Sequence, residues 1–373
     1  MNKIVIKNNI DRQKYHEDLV KYANLAFEKD GFPKRYCFIL TNLCNLACSF
    51  CFQERKRKSD AMSKDEWIKV IDSLPADSRI TLTGGEPIVF KGFEEIFGRA
   101  CEKFEVNIIT NGILLSEKLI DFMLSFKNFK VLSVSIDNRK NTIRKIANLK
   151  EKNWEQKWEH AENMMLYFKK KKEKTNHGCT LDSKTTILDE NAKDLFDIHL
   201  YCLEELGCDT HAFQFLKGHP IQHADYMFKK EDIFSKHDAY VYKNWDDIVS
   251  NLKKVKEYNI KNNTWGFLHP SVSSIMDSDD EFNIDILNNK DLNKNSFKPC
   301  KAPWQSVHIN TDGNVFPCMA IPMGNIRDGY QNVFNGERFK EFRDIIRKEG
   351  LVEGCNRCGW LKPEKPINKK KNV

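Results

Sequence analysis

Short apolar runs alternate with longer amphipathic segments over the first two-thirds of the chain. Residues 36–41, 79–83, 106–110, 131–136, 185–188 and 210–216 are strand-length and rich in Ile, Val, Leu, Phe or Thr, the pattern of β-strands. Helical patterns lie between them. Ser63-Lys64-Asp65-Glu66 reads as a capping box; Trp67, Ile68, Ile71 and Leu74 then share one apolar face, and Pro75 stops the helix. Trp154, Trp158, Ala161, Met165 and Phe168 form a core stripe, and Leu195, Ile198, Cys202 and Leu206 another, closed by Gly207. Strands alternating with helices predict a parallel sheet with helical crossovers. Six strands are too few for a closed eight-strand barrel. An open or partial barrel is expected, with its chemistry at the carboxyl ends of the strands.

The pattern changes near Gly218. Residues 245–258 look helical, and 271–296, rich in Ser, Asp and Asn, read as a boundary loop or insertion. Beyond Cys300, residues 307–310 and 314–316 flank Thr311-Asp312-Gly313, a β-hairpin signature, and 337–347 form a helix with Phe339, Phe342 and Ile346 on one face. The expected division is an N-terminal extension (1–34), a core barrel (35–218), a helical and loop region completing it (219–298), a small hairpin-plus-helix domain (299–360) and a disordered basic tail (361–373).

Of the 373 residues, 40% are hydrophobic and 30% charged, and no stretch approaches a membrane helix. Residues 1–14 are basic without an apolar run behind them, which argues against a secretory signal and for a cytoplasmic location. The net charge of +7 is mild, and the lysine clusters at 169–172 and 369–371 read as a solvated helix end and a tail. Nucleic acid and membrane are thus not expected partners. In a reducing compartment the twelve cysteines read as metal ligands, reactive thiols or small core residues.

Cys44, Cys48 and Cys51 follow the first strand directly. A structural zinc or an electron-transfer cluster takes four protein ligands, whereas three cysteines leave one iron of a four-iron cluster open. The alternative is a zinc site completed by a distant residue. At the end of the second strand, Gly84 and Gly85 let the backbone approach a ligand, and Glu86 can accept from an ammonium group. Thr110-Asn111-Gly112 and Ser135-Ile136-Asp137 end the next two strands. Taken singly, each reads as a turn or cap. Cys300, Cys318, Cys355 and Cys358 make a complete four-cysteine set, iron–sulfur or zinc by spacing. Cys37, Cys101, Cys179, Cys202 and Cys208 read as core thiols, with Cys179 the candidate exception.

Together the three-cysteine motif, Gly84-Gly85-Glu86-Pro87, Thr110-Asn111-Gly112 and Ser135-Ile136-Asp137 resemble the radical S-adenosylmethionine (radical SAM) superfamily, over roughly residues 35–218. The resemblance implies an α/β fold, a partial (β/α)6 TIM-like barrel. It implies a 4Fe-4S cluster on Cys44, Cys48 and Cys51, with S-adenosylmethionine chelating the open iron. Phe50 matches the aromatic that packs on the adenine, and Gly84, Gly85 and Glu86 match the segment holding the methionine amino group. Ser135 matches a cofactor contact, Arg144 a downstream arginine at shorter spacing, and Leu216 an adenine contact. Residues 299–360 resemble the SPASM and twitch extensions of that superfamily. Cys300, Cys318, Cys355 and Cys358 would hold a second, auxiliary 4Fe-4S cluster, as in the shorter twitch form.

The implied activity is reductive cleavage of S-adenosylmethionine to a 5′-deoxyadenosyl radical that abstracts hydrogen from a substrate, with the auxiliary cluster assisting electron transfer. A reducing partner such as flavodoxin or ferredoxin is implied as well. The favoured outcome is oxidation of a sugar-, cyclitol- or amino-acid-like small molecule, because about 35 residues before the first strand are too few for a leader-recognition domain. The alternatives are peptide modification by cross-linking or epimerisation, an RNA-modifying enzyme and, from another class, a non-catalytic iron–sulfur or zinc module. No catalytic base is assigned; His308 and His211 are candidates that also read as ordinary structural histidines.

Overall fold

The computed structural model describes residues 3–51, 59–139, 153–216, 241–264, 294–317 and 322–352, together with positions 266, 272, 273, 355, 358 and 360–363. Helix α1 (Lys3–Lys29) leads into β1 (Arg35–Ile39), α2 (Lys64–Ser73), β2 (Arg79–Thr83), α3 (Phe93–Lys103), β3 (Glu105–Thr110), α4 (Glu117–Leu124) and β4 (Phe129–Ser135). Then follow α5 (Trp154–Lys174), β5 (Thr180–Ile187), α6 (Leu195–Leu200, extended by a π-helical turn at Tyr201–Glu205), β6 (Thr210–Phe215) and α7 (Trp245–Asn262). The last elements are α8 (Ala302–Gln305), β7 (Ser306–Ile309), β8 (Asn314–Phe316), β9 (Gly324–Asn325), α9 (Tyr330–Phe334) and α10 (Glu337–Glu349). The capping box at Ser63 and Glu66 is formed in both directions. No helix among the described residues is long and apolar enough to cross a membrane.

The strands run in the order β6-β5-β4-β3-β2-β1-β7-β8-β9, and β1 to β6 are parallel neighbours. Because the order follows the chain, right-handed crossovers place their helices on one face of the sheet. That face carries the main core: Tyr36 and Phe38 from β1 and Leu40 just after it, with Ile80, Leu82, Val106 and Ile108, packed on Trp67, Ile71, Ile96 and Phe97 of the helices. Phe38 stacks on Trp67 with centroids 4.9 Å apart. A second cluster joins β5 and β6 to α7 through Phe213, Phe215, Ile248 and Leu252.

The opposite face is polar. Asp182 accepts from Ser133 Oγ at 2.7 Å and Thr210 Oγ1 at 2.6 Å, a buried chain across three strands. It explains why β5 begins at Thr180, five residues before its apolar run: Asp182 and Lys184 fall on this face and break the strand pattern.

Residues 3–29, expected as a plain extension, form α1. Its Tyr15 lies 4.0 Å under the Arg79 guanidinium, receives an Asn107 Nδ2 bond at 3.2 Å, and accepts from Arg79 Nη1 at its carbonyl oxygen. It therefore covers the amino ends of β2 and β3. The predicted hairpin is present, with Gly313 at φ +83° in its turn, but it is not set apart from the barrel. Strand β7 pairs in parallel with β1, so the small domain extends the barrel sheet. The 169–172 lysine run is only partly solvated. Lys171 pairs with Asp121 at the surface, whereas Lys172, 1% exposed, forms a buried ion pair with Asp209.

Candidate active site

The loop with Cys44, Cys48 and Cys51 leaves the carboxyl end of β1 and is held by the turn that ends β2. Gly85 N donates to the Thr41 carbonyl at 2.6 Å and Glu86 N to that of Leu43 at 2.9 Å. A Cβ on Gly84 would lie 2.5 Å from the Thr41 carbonyl oxygen, and one on Gly85 2.3 Å from that of Leu43. The close approach that requires glycine here is thus to the backbone feeding the cysteine loop, a reason the sequence does not reveal.

For Glu86 the expected partner is an ammonium group. Its carboxylate is 0% exposed and accepts from three of the chain's own donors. Thr110 Oγ1 reaches Oε1 at 2.8 Å, Ile88 N reaches Oε1 at 3.2 Å, and Asn111 N reaches Oε2 at 2.8 Å. One of about four acceptor positions on the carboxylate remains. Burial pushes the carboxyl up to about 7 against the pull of these donors. Asn111 completes the arrangement: its Nδ2 donates to Asn45 Oδ1 at 2.7 Å and to Cys44 Sγ at 3.7 Å. The cysteine loop, the Gly84–Pro87 turn and the Thr110–Gly112 turn are therefore one hydrogen-bonded unit.

Phe50 is half-buried beside Cys51, and Ser135 is half-buried at the end of β4, opposite Lys184. Leu216 packs against the second cluster, and its backbone N donates to Tyr242 Oη at 2.8 Å. Arg144 and Cys318 lie outside the described residues. Cys300 N donates to the Gly350 carbonyl at 3.0 Å, which sets it beside the end of α10, and Cys358 N donates to the Cys355 carbonyl at 3.1 Å. Cys300 precedes β7 and Cys44 follows its parallel neighbour β1, so these two cysteines flank opposite ends of adjacent strands.

Burial separates the cysteines as their spacing does. Cys44, Cys48, Cys51, Cys300, Cys355 and Cys358 are all half-buried, while Cys37, Cys101, Cys179, Cys202 and Cys208 are buried. Half-buried cysteines on loops are what a cluster with an external face needs, so the six described positions are compatible with the groups expected of them. Among the described residues no three His, Cys, Asp or Glu side chains are drawn together tightly enough for a single metal ion.

Of the five buried thiols, burial pushes Cys202 up to about 12 and raises Cys101, Cys179 and Cys208 well above the ordinary thiol value, as inert core groups. The exception is Cys37 rather than Cys179. Burial raises its thiol too, but the charges of Arg35 and His308 outweigh this and bring it down to about 6. Cys37 and His308 are register partners on β1 and β7 and face away from the main core, whose residues there are Tyr36, Phe38, Val307 and Ile309. His211 faces the helices instead. Its Nδ1 shares a hydrogen bond of 2.9 Å with His199 Nδ1, and its Nε2 lies 2.8 Å from Thr185 Oγ1, a structural chain.

With this geometry in view, comparison with known proteins is decisive at the level of family. Residues 38–176 match the model of the radical SAM superfamily, and residues 300–359 that of the SPASM iron–sulfur cluster-binding domain. The chain belongs to the radical SAM superfamily. Its radical SAM domain implies a 4Fe-4S cluster and S-adenosylmethionine, and its SPASM domain implies auxiliary iron–sulfur binding. It is 21% identical to the subtilosin biosynthesis protein AlbA of Bacillus subtilis (strain 168), over 89% of this chain and 72% of that one. It is 38% identical to the sporulation killing factor maturation protein SkfB of the same organism, over 28% of this chain and 26% of that one. Its fold is similar to that of Streptococcus suis SuiB, solved bound to precursor peptide SuiA, with a TM-score of 0.56 at 14% identity, covering 84% of this chain and 67% of SuiB.

Proposed function

We propose that this radical SAM enzyme modifies a peptide. The observation that carries the reading is the similarity to AlbA, which runs through both domains and covers 89% of the chain. AlbA is named for biosynthesis of a bacteriocin, SkfB for maturation of a killing factor, and SuiB has been solved with a precursor peptide. These relatives shift the balance from the small-molecule oxidation favoured by the short N-terminal segment to the peptide alternative.

In this reading Cys44, Cys48 and Cys51 hold the cluster that binds S-adenosylmethionine, and Cys300, Cys318, Cys355 and Cys358 hold the auxiliary one. Together the bound groups supply hydrogen-atom abstraction. Phe50, Gly84, Gly85 and Ser135 form the cofactor side of the rim, and Glu86 locks the turn beneath it. The polar face, with Cys37, His308, Ser133 and Asp182, orients the substrate and limits water. A one-electron donor of the flavodoxin or ferredoxin type serves as reductant.

The test is anaerobic reconstitution followed by an assay for 5′-deoxyadenosine. The substrates are peptides encoded beside the gene and, separately, a panel of sugars and cyclitols. About eight irons per chain are expected from two four-iron clusters, with cofactor cleavage stimulated by a peptide whose mass changes. Stimulation by a cyclitol or sugar, and by no peptide, would overturn the peptide assignment.

A further inference from the structure

We propose that Asn111 is a positioning residue that sets the reduction potential of the S-adenosylmethionine-binding cluster through its hydrogen bond to the Cys44 sulfur. This rests on the reading of Cys44 as a cluster ligand. The bond is not an accident of one rotamer, because each polar group of Asn111 that could turn it is engaged. Ile113 N donates to Asn111 Oδ1 at 3.0 Å. That bond fixes which end of the amide is oxygen and leaves both Nδ2 hydrogens pointing at the cysteine loop, one to Asn45 Oδ1 and one to Cys44 Sγ. A flipped amide would set nitrogen against the Ile113 N–H and oxygen against Asn45 Oδ1. The backbone is pinned as well, since Asn111 N donates to the buried Glu86 carboxylate. Gly112 follows at φ +81°, where a side chain would be strained, and its N–H bonds Thr110 Oγ1 at 3.1 Å.

Cys44 Sγ receives a second donor from within its own loop, Leu46 N at 3.4 Å. The loop supplies that one through its backbone. The Asn111 bond comes from another strand end and depends on a side chain, so it is the donor that sequence can tune. Donors to a ligating sulfur spread its negative charge. They favour the cluster state with one more electron and so raise the potential. Without Asn111 the cluster is harder to reduce, and less of it is reduced by a given donor.

The experiment compares Asn111→Leu, Asn111→Asp and Cys44→Ala with the wild type in the full, anaerobically reconstituted chain. The readout is the midpoint potential of the paramagnetic signal that changes when S-adenosylmethionine is added, which singles out the cluster with an open iron. Iron content is measured in parallel. Asn111→Leu is expected to keep its iron and shift the midpoint to a more negative potential. Asn111→Asp, which keeps an acceptor for Ile113 N but replaces the donor with a charge, is expected to shift it further. A purely structural role would leave the midpoint of correctly loaded protein unmoved. An unchanged or more positive midpoint in the loaded variants overturns the proposal, and the nearly isosteric aspartate variant carries the test if leucine disturbs loading. If Cys44→Ala keeps full iron and the responsive signal, the ligand reading itself fails, and the inference with it.

Discussion

Replacing Glu86 by glutamine decides between two opposing effects at the turn after β2. Burial disfavours the charge of this carboxyl, while Thr110, Ile88 and Asn111 all donate to it. Burial wins and raises it to about 7 from an ordinary 4.5. A glutamine keeps one oxygen for Thr110 and Ile88 but turns an N–H toward the Asn111 amide, a buried donor clash costing about 1–3 kcal/mol. Linkage adds a pH dependence. A folded value above the unfolded one contributes stability fully present below pH 4.5 and lost as the pH rises through about 7. From about pH 5.5 upward the loss spans about 1.5 units, or about 2 kcal/mol. Glutamine has no such titration. Its deficit against the wild type is therefore expected to be about 2 kcal/mol larger at pH 5.5 than at pH 8. Urea unfolding of both iron-free proteins in matched buffers measures it. A deficit that grows with pH would refute the reasoning, because it would mean that the three donors hold the carboxylate ionised in spite of burial.

Two further outcomes follow from the titratable groups. Burial lowers His199 to about 4 and His211 well below its usual value, so both are neutral in the fold, and stability is lost as the pH falls below that of the unfolded imidazole. Between about pH 6.5 and 5.5, His211→Phe should lose about 1 kcal/mol less than the wild type; parallel pH profiles in urea unfolding would count against this. At neutral pH the iron-free wild type should carry one thiolate more than Cys37→Ser, visible as ultraviolet thiolate absorbance, with His308→Phe moving its midpoint upward. Coincident spectra would dispose of the Cys37–His308 pair.

Strands β1 to β4 are legible because one face of each is apolar, as Tyr36 and Phe38 show on β1. The first half of β5 is hidden because its polar residues are paired inside the protein, Asp182 with Ser133 and Thr210, and nothing local announces such partners. Helix α1 hides for a related reason: its buried positions Leu19, Ala23 and Ala26 are a thin stripe among charges. The motif cysteines stand out by spacing, yet the anomalous thiol Cys37 does not. Its charge depends on His308, which lies 271 positions away in the chain and becomes a neighbour only through β7 pairing. Asn111 reads as a turn residue because the bond that orients its amide, from Ile113 N, exists only once the turn is built. The brevity of the N-terminal segment favours a small molecule, whereas the similarity to AlbA supports the peptide reading proposed above, and segment length says nothing about what else can present a peptide.

Strand β1 connects these observations. Its carboxyl end feeds the Cys44 loop, one edge pairs with β2 and the Glu86 turn, and the other edge pairs with β7, which follows Cys300. The placement of Cys44 and Cys300 about β1 and β7 therefore depends on the register between these two strands. A slip of one residue between β1 and β7 would carry His308 to the core face and Val307 and Ile309 to the polar face. The register is guarded by packing on the helix side. Val307 and Ile309 lie in the main core with Trp304, and Tyr36 bonds Tyr330 through their hydroxyls at 2.9 Å. Tyr330 and Phe334 of α9 pack on Tyr36 and Phe32, so the small domain is keyed to β1 by side chains as well as by the backbone ladder.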